Sequence, residues 1–167
     1  QSARARNNLG AAYLRRGELP LAQVELEAAT RIKPDFSAVH GNMGKLYLDR
    51  GELPLAAAAL ETALALKPGE TIPRLWLGAA LMRQGQHAQA ESQFQAALDN
   101  HRSAPYARNN LGVLLAKQDR FEEAADAFRE ALRLMPGLAE AKANLARLAE
   151  RRDRADRSEQ TGAKAGP

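Results

Sequence analysis

The chain has no cysteine in its 167 residues, which excludes disulfide bonds and thiolate metal sites and leaves its redox compartment open. Aromatic residues are scarce, 5% of the total with a single Trp, so Ala and Leu must fill most apolar positions, a composition suited to closely packed helices. Long hydrophobic runs are missing too. Stretches such as 53–60 are interrupted by charge or Pro well before the ~20 residues that a membrane-spanning helix needs. Neither a signal peptide nor an initiating Met is found. The chain starts at Gln1 and enters helical sequence within a few residues, so it is expected to be a fragment or processed product, with any targeting segment upstream.

The groupings that carry catalysis are also lacking. His40, His87 and His101 lie on different helices or at a helix end, with no metal-ligand spacing among them. The glycines are isolated and form neither a phosphate-binding loop nor a nucleophile elbow. Glu122, Glu123 and Asp126 are grouped, but they fall in the first turns of an expected helix, where negative charge favours the dipole. The chain therefore reads as non-catalytic, with no cofactor and no metal.

What is present is a repeat. Gly10, Gly44, Gly78 and Gly112 are each separated by 34 residues, the mark of an array of supersecondary units. Each unit reads as two helices. Gly17 and Gly51 stand where a left-handed residue would end the first helix, Asp119 replaces Gly in the fourth unit, and Pro20 and Pro54 suit the first turn of the second. Asp35 and Thr71 are expected N-caps. The third unit departs from the pattern, because Arg102 stands in place of Pro34 and Pro68, and Asn100 in place of Ile32 and Leu66. Its second helix, expected over 87–98, should end loosely or reorganise around Asn100 and His101. An unpaired last helix over about 138–152, carrying Leu145, Ala146 and Leu148 for the stack, would serve as a polar cap.

The recurring residues resemble the tetratricopeptide (TPR) pattern. Leu9-Gly10, Met43-Gly44, Leu77-Gly78 and Leu111-Gly112 mark the first helices, with Tyr13, Tyr47, Leu81 and Leu115 three residues after each Gly. In the second helices follow Ala22, Ala56, Ala90 and Ala124, then Leu26, Leu60, Phe94 and Phe128, then Ala29, Ala63, Ala97 and Ala131, with Pro34, Pro68 and Pro136 closing three units. The resemblance implies an all-α fold, a right-handed superhelix of paired antiparallel helices. The solenoid is expected over 1–156, in repeats of about 3–36, 37–70, 71–104 and 105–138 plus the cap, with a disordered tail over 157–167.

In such arrays the first helices line a concave groove, which makes one stripe along them the expected binding surface. Stepping i, i+4, i+7, i+11 gives Arg4, Asn8, Ala11 and Arg15; Ala38, Asn42, Lys45 and Asp49; Ile72, Trp76, Ala79 and Arg83. It continues with Tyr106, Asn110, Val113 and Lys117, then Glu140, Asn144, Arg147 and Arg151. Asn8, Asn42, Asn110 and Asn144 recur at multiples of 34, with Trp76 on the missing rung. A ladder of amides, each both donor and acceptor, can grip an extended peptide backbone whatever its sequence. In this it is similar to the superhelical part of O-linked N-acetylglucosamine transferases. The same amides can instead hydrogen-bond between adjacent helices.

The stripe holds seven basic residues against Asp49 and Glu140, a sum of +5 where the whole chain carries +4. Basic charge is concentrated there and should steer acidic segments, with contacts that weaken in salt. The full carboxylate clamp of chaperone-binding TPR domains is not matched, since Trp76 stands where an Arg would be needed.

Three functions follow: an interaction module for an extended acidic peptide, the recognition arm of a larger enzyme such as a glycosyltransferase, or a scaffold that self-assembles through the leading face of its first repeat into homo-oligomers. Nucleic acid fits poorly, because only Trp76 and Tyr106 could stack on bases and Asp49 and Glu140 interrupt the basic path. The Ala- and Arg-heavy composition points to a soluble bacterial protein of cytoplasm or periplasm. Trp76 separates two outcomes: as a groove anchor beside Tyr106 and Ile72, Trp76→Ala weakens partner binding by about 2 kcal/mol or more and barely lowers thermal stability. As an interface filler it lowers stability equally, which a melting curve beside a binding isotherm distinguishes.

Overall fold

The computed structural model describes the backbone of residues 2–162 and the side chains of residues 2–151. Among these residues the secondary structure is entirely helical: α1 (Ala3–Arg16), α2 (Leu19–Ile32), α3 (Ser37–Arg50), α4 (Leu53–Leu66), α5 (Thr71–Arg83), α6 (His87–Ala96), α7 (Ala104–Lys117), α8 (Phe121–Leu134) and α9 (Ala139–Gly162). The chain divides between Ala97 and Leu98 into two compact units. In the first, α1, α3 and α5 each pair with the helix that follows and lie side by side. The second pairs α7 with α8 and sets α9 against both.

Each pair is fixed by one crossing. Gly10, Gly44, Gly78 and Gly112 are buried, and a Cβ built on them would lie 2.7 Å from Leu26 Cγ, 2.7 Å from Leu60 Cδ2, 2.8 Å from Phe94 Cδ1 and 2.7 Å from Phe128 Cδ1 respectively. No side chain fits there, so the large residue of the second helix lies directly on the backbone of the first. Leu26, Leu60 and Phe94 are completely buried and Phe128 nearly so, each contributing roughly 1.5–3 kcal/mol by burial. The alanines on either side, Ala22, Ala56, Ala90 and Ala124 and then Ala29, Ala63, Ala97 and Ala131, are all fully buried, which lets the helices close along their length.

The turns use the residues that the sequence offers. Gly17 and Gly51 adopt φ of 74° and 78°, and their N–H groups donate to carbonyls of the preceding helical turn. Asp119 adopts φ 59° without the freedom of Gly. Pro20 and Pro54 occupy the first turns of α2 and α4.

Other expectations are corrected. Asp35 caps nothing: α3 begins at Ser37, with Phe36 at the cap position and no side-chain cap. The buried Ser37 hydroxyl instead stands 3.0 Å from the Ala63 carbonyl and 2.9 Å from the Glu70 carboxylate, tying α3 to the end of α4. Thr71 is already helical, and Glu70, held by Ser37, occupies its expected place. The second helix of the third repeat stops at Ala96 rather than Leu98. Beyond it Asn100 builds the turn: its carbonyl accepts from Ser103 and Ala104 N–H at 3.0 and 2.9 Å, and its side chain accepts from Arg102 N–H at 3.0 Å.

The last helix runs to Gly162, beyond the expected cap and into the expected tail, because residues 153–161 contain neither Gly nor Pro to stop it. Residues 163–167 of that tail lie outside the described residues. Ala141 and Leu148, with Leu138 just before the helix, make its buried side, whereas Ala146 is exposed. Replacing Gly78 with Leu should lower stability by roughly 1–3 kcal/mol, read by denaturant unfolding, because the buried Phe94 ring lies directly on the Gly78 backbone.

Candidate functional site

The exposed side of the first helices is built from the amides upward. Asn42 Nδ2 on α3 donates to Asn7 Oδ1 on α1 at 2.8 Å, and Asn144 Nδ2 on α9 donates to Asn109 Oδ1 on α7 at 2.9 Å. Asn7 and Asn109 are buried at 6% and 8% exposure, so they are acceptors inside the stack, one residue before the rungs Asn8 and Asn110. The bond uses one N–H of Asn42 and Asn144. Their Oδ1 and second N–H are left, held in one orientation. Asn8 and Asn110 make no side-chain hydrogen bond among the described residues. Between the second and third repeats the buried position is Gly41 and the rung that follows it is Trp76, so the pair changes together.

In the first unit these residues converge on a pocket of about 270 Å³ lined by Ala11, Leu14 and Arg15 of α1, Asn42 and Lys45 of α3, and Trp76 of α5. Trp76 is half-buried and also packs on the cluster of Leu48, Ala56 and Ala80. It is thus both wall and filler, and truncating it should cost stability as well as any binding. In the second unit a pocket of about 210 Å³ is lined by Val113, Ala116 and Lys117 of α7, Phe128 of α8, and Asn144, Arg147, Leu148 and Arg151 of α9. Ile72 and Tyr106, exposed at 47% and 40%, line neither pocket.

The basic stripe is less free than its sum of +5 implies. The Lys45 ammonium donates to both Asp49 oxygens. Arg83 Nη1 donates to the Leu48 carbonyl at 2.9 Å, where a cation favours the C-terminus of α3. Arg151 reaches Asp119 at 3.0 Å and stands over the Phe121 ring at 4.7 Å. Arg4, Arg15, Lys117 and Arg147 have no ion-pair or hydrogen-bond partner among the described residues.

The comparisons with known proteins fit this arrangement. A tetratricopeptide repeat model matches residues 42–91 and 75–139, and a second model of the same description matches residues 3–28. The chain belongs to the tetratricopeptide repeat family. Among solved structures, PilF of Pseudomonas aeruginosa is 22% identical with a TM-score of 0.81, over 99% of this chain and 77% of that one. A thermophilic TPR protein of Thermus thermophilus is 19% identical with a TM-score of 0.79, over 89% and 82%. YrrB, described as a TPR protein with an unusual peptide-binding site, is 24% identical with a TM-score of 0.70, over 84% and 73%. At these identities the likeness shows the fold alone. No curated protein matches the chain in sequence.

Other polar groups of this TPR chain are engaged in the scaffold. His40 Nε2 lies 2.6 Å from the Pro34 carbonyl, and one repeat later Arg74 donates to the Pro68 carbonyl at 2.6 Å and to Gln93 at 3.2 Å. Arg74 thereby closes one side of a wider cleft between α4, α5 and α6, of about 600 Å³, which is otherwise lined mostly by Leu, Ala and Gln. Glu123 pairs with Arg120 and Asp126 with Arg129. The hydrogen bond from Arg120 holds the Glu123 carboxyl below the usual carboxylate range, and Arg133 does the same for Glu130. With folded values lowered, these pairs stay intact through that range and are lost as the pH falls through the lowered folded values beneath it. Among the described residues no helix is long and apolar enough to cross a membrane.

The sequence stripe missed Asn7, Asn109, Leu14 and Phe128. The Asn-Asn doublets at 7–8 and 109–110 were the available signal, with the partner amide 35 residues on. An Asn7→Ala and Asn42→Ala double-mutant cycle in urea should give a coupling of about 1 kcal/mol; additive effects would mean the amides do not depend on each other.

Proposed function

We propose that this TPR chain is a non-catalytic protein–protein interaction module that holds an extended acidic segment of a partner protein along its first helices. The carrying observation is the pocket in the first unit, where an aromatic wall, an oriented amide and a cation without a partner among the described residues come together from three separate helices. Each supplies a different part of peptide recognition. Trp76 offers apolar area, Asn42 retains an acceptor and one N–H for a peptide group, and Arg15 adds positive charge that steers an acidic segment toward these helices. Arg4 in that unit, and Lys117 and Arg147 in the second unit, are further cations without a partner among the described residues. The unusual peptide-binding site described for YrrB is in keeping with this use of the fold.

A second use is favoured by one observation. Leu9 on α1 is 42% exposed, whereas Leu77 and Leu111, its counterparts, are 3% and 7% exposed. Another repeat, or a second copy, stacked on this face would cover it. Light scattering over a concentration series tests the copy, and a strictly monomeric protein removes it.

The acidic-peptide reading is tested on a peptide array of varied composition probed at low and high salt. Bound peptides should be enriched in Asp and Glu and fade as salt rises, and Arg15→Gln with Lys117→Gln and Arg147→Gln should weaken them by about 1 kcal/mol or more in total. Selection without acidic enrichment, or indifference to the triple substitution, would count against it.

A further inference from the structure

The two pockets on the first helices are one site built twice. Ala11, Leu14, Arg15, Asn42 and Lys45 line the first, and Val113, Ala116, Lys117, Asn144 and Arg147 stand at the corresponding places in the second, 102 residues on. Three repeat lengths of 34 account for that offset. Each pocket has an apolar floor from the earlier helix, an amide pinned by a buried Asn, and a cation on either side.

They differ in the residues that decide what they attract. Beside the first pocket, Lys45 is neutralised by Asp49, so Arg15 is its one cation without a partner among the described residues, and Trp76 supplies a broad apolar wall. At the place of Asp49 the second has Arg151, which is engaged by Asp119 and Phe121. Among the described residues Lys117 and Arg147 both remain without a partner, and no carboxylate lines the pocket. Glu140, one helical turn before Asn144, lies outside the lining.

We propose that these are equivalent subsites with divided chemistry: the first takes an apolar side chain, aromatic or branched, and the second takes a carboxylate-bearing side chain. This rests on the reading of the first helices as the peptide-binding surface. A carboxylate entering the first pocket would compete with Asp49 for Lys45, while an apolar group meets the indole face and gains by leaving water. In the second, a carboxylate meets two cations that have no other partner among the described residues and the remaining N–H of Asn144. An apolar side chain there would strip water from both cations without replacing it.

The test uses the full chain and two capped hexapeptides, hexaglutamate and a neutral Gly-Ser-Phe-Leu-Gly-Ser. Trp76, the sole Trp, reports the first pocket by its fluorescence, and backbone amide shifts of residues 113–117 and 144–148 report the second. Hexaglutamate should move the second set without altering Trp76 emission, and the neutral peptide should do the reverse. Lys117→Gln with Arg147→Gln should weaken hexaglutamate about tenfold at low salt and leave the neutral peptide unchanged. Asp49→Arg should make Trp76 emission respond to hexaglutamate. If both peptides bind the same pocket, or the double Gln variant binds hexaglutamate as before, the division is wrong while peptide binding stands. If neither peptide moves either signal, the peptide-binding reading falls with it.

Discussion

Everything in this protein depends on the contact between a glycine backbone and a large side chain at each helix crossing. Gly10 with Leu26, Gly44 with Leu60, Gly78 with Phe94 and Gly112 with Phe128 bring two helices closer than any side chain on the first would allow. The flanking alanines extend that closeness along the pair, and none of the four large residues is more than marginally exposed. Since each pair makes its core locally, the array can vary its outer residues freely so long as this contact survives. The first helices then become a surface on which chemistry can be written one repeat at a time.

That freedom is visible in the rungs. Where the buried position holds Asn7 or Asn109, the next repeat presents Asn42 or Asn144 and the two amides bond. Where it holds Gly41, the next rung is Trp76, and the polar link gives way to apolar packing on Leu48, Ala56 and Ala80. The amide bond stabilises the stack and also fixes which groups of the rung remain for a partner. Structural and recognition roles need not compete for these residues, because an Asn side chain has more hydrogen-bonding capacity than one bond consumes.

Charge behaves differently from apolar pattern. The same helical stripe that carries an excess of positive residues also carries carboxylates and carbonyls within their reach, and long flexible side chains find them. Lys45 is spent on Asp49, Arg83 on the Leu48 carbonyl, and Arg151 on Asp119. A sum over residues cannot distinguish these from Arg15, Lys117 and Arg147, which differ only in what stands nearby. The field available to a partner is accordingly narrower and more localised than composition suggests.

The sequence by itself determined the fold, because the 34-residue period, the glycine at each crossing and its apolar counterpart on the second helix are constraints of size and spacing that need no long-range information. It also located the stripe, since helical geometry alone decides which residues share a face. Only the tertiary structure decided what surrounds those residues: that Asn42 and Asn144 are pinned by Asn7 and Asn109, that Trp76 is wall and core together, and which cations have a partner among the described residues. It also decided the breaks in the pattern, where α3 begins at Ser37 without a cap from Asp35 and Asn100 shapes the turn after α6. These are matters of distance between side chains on different helices, and a linear pattern contains residue types and intervals but no such distances.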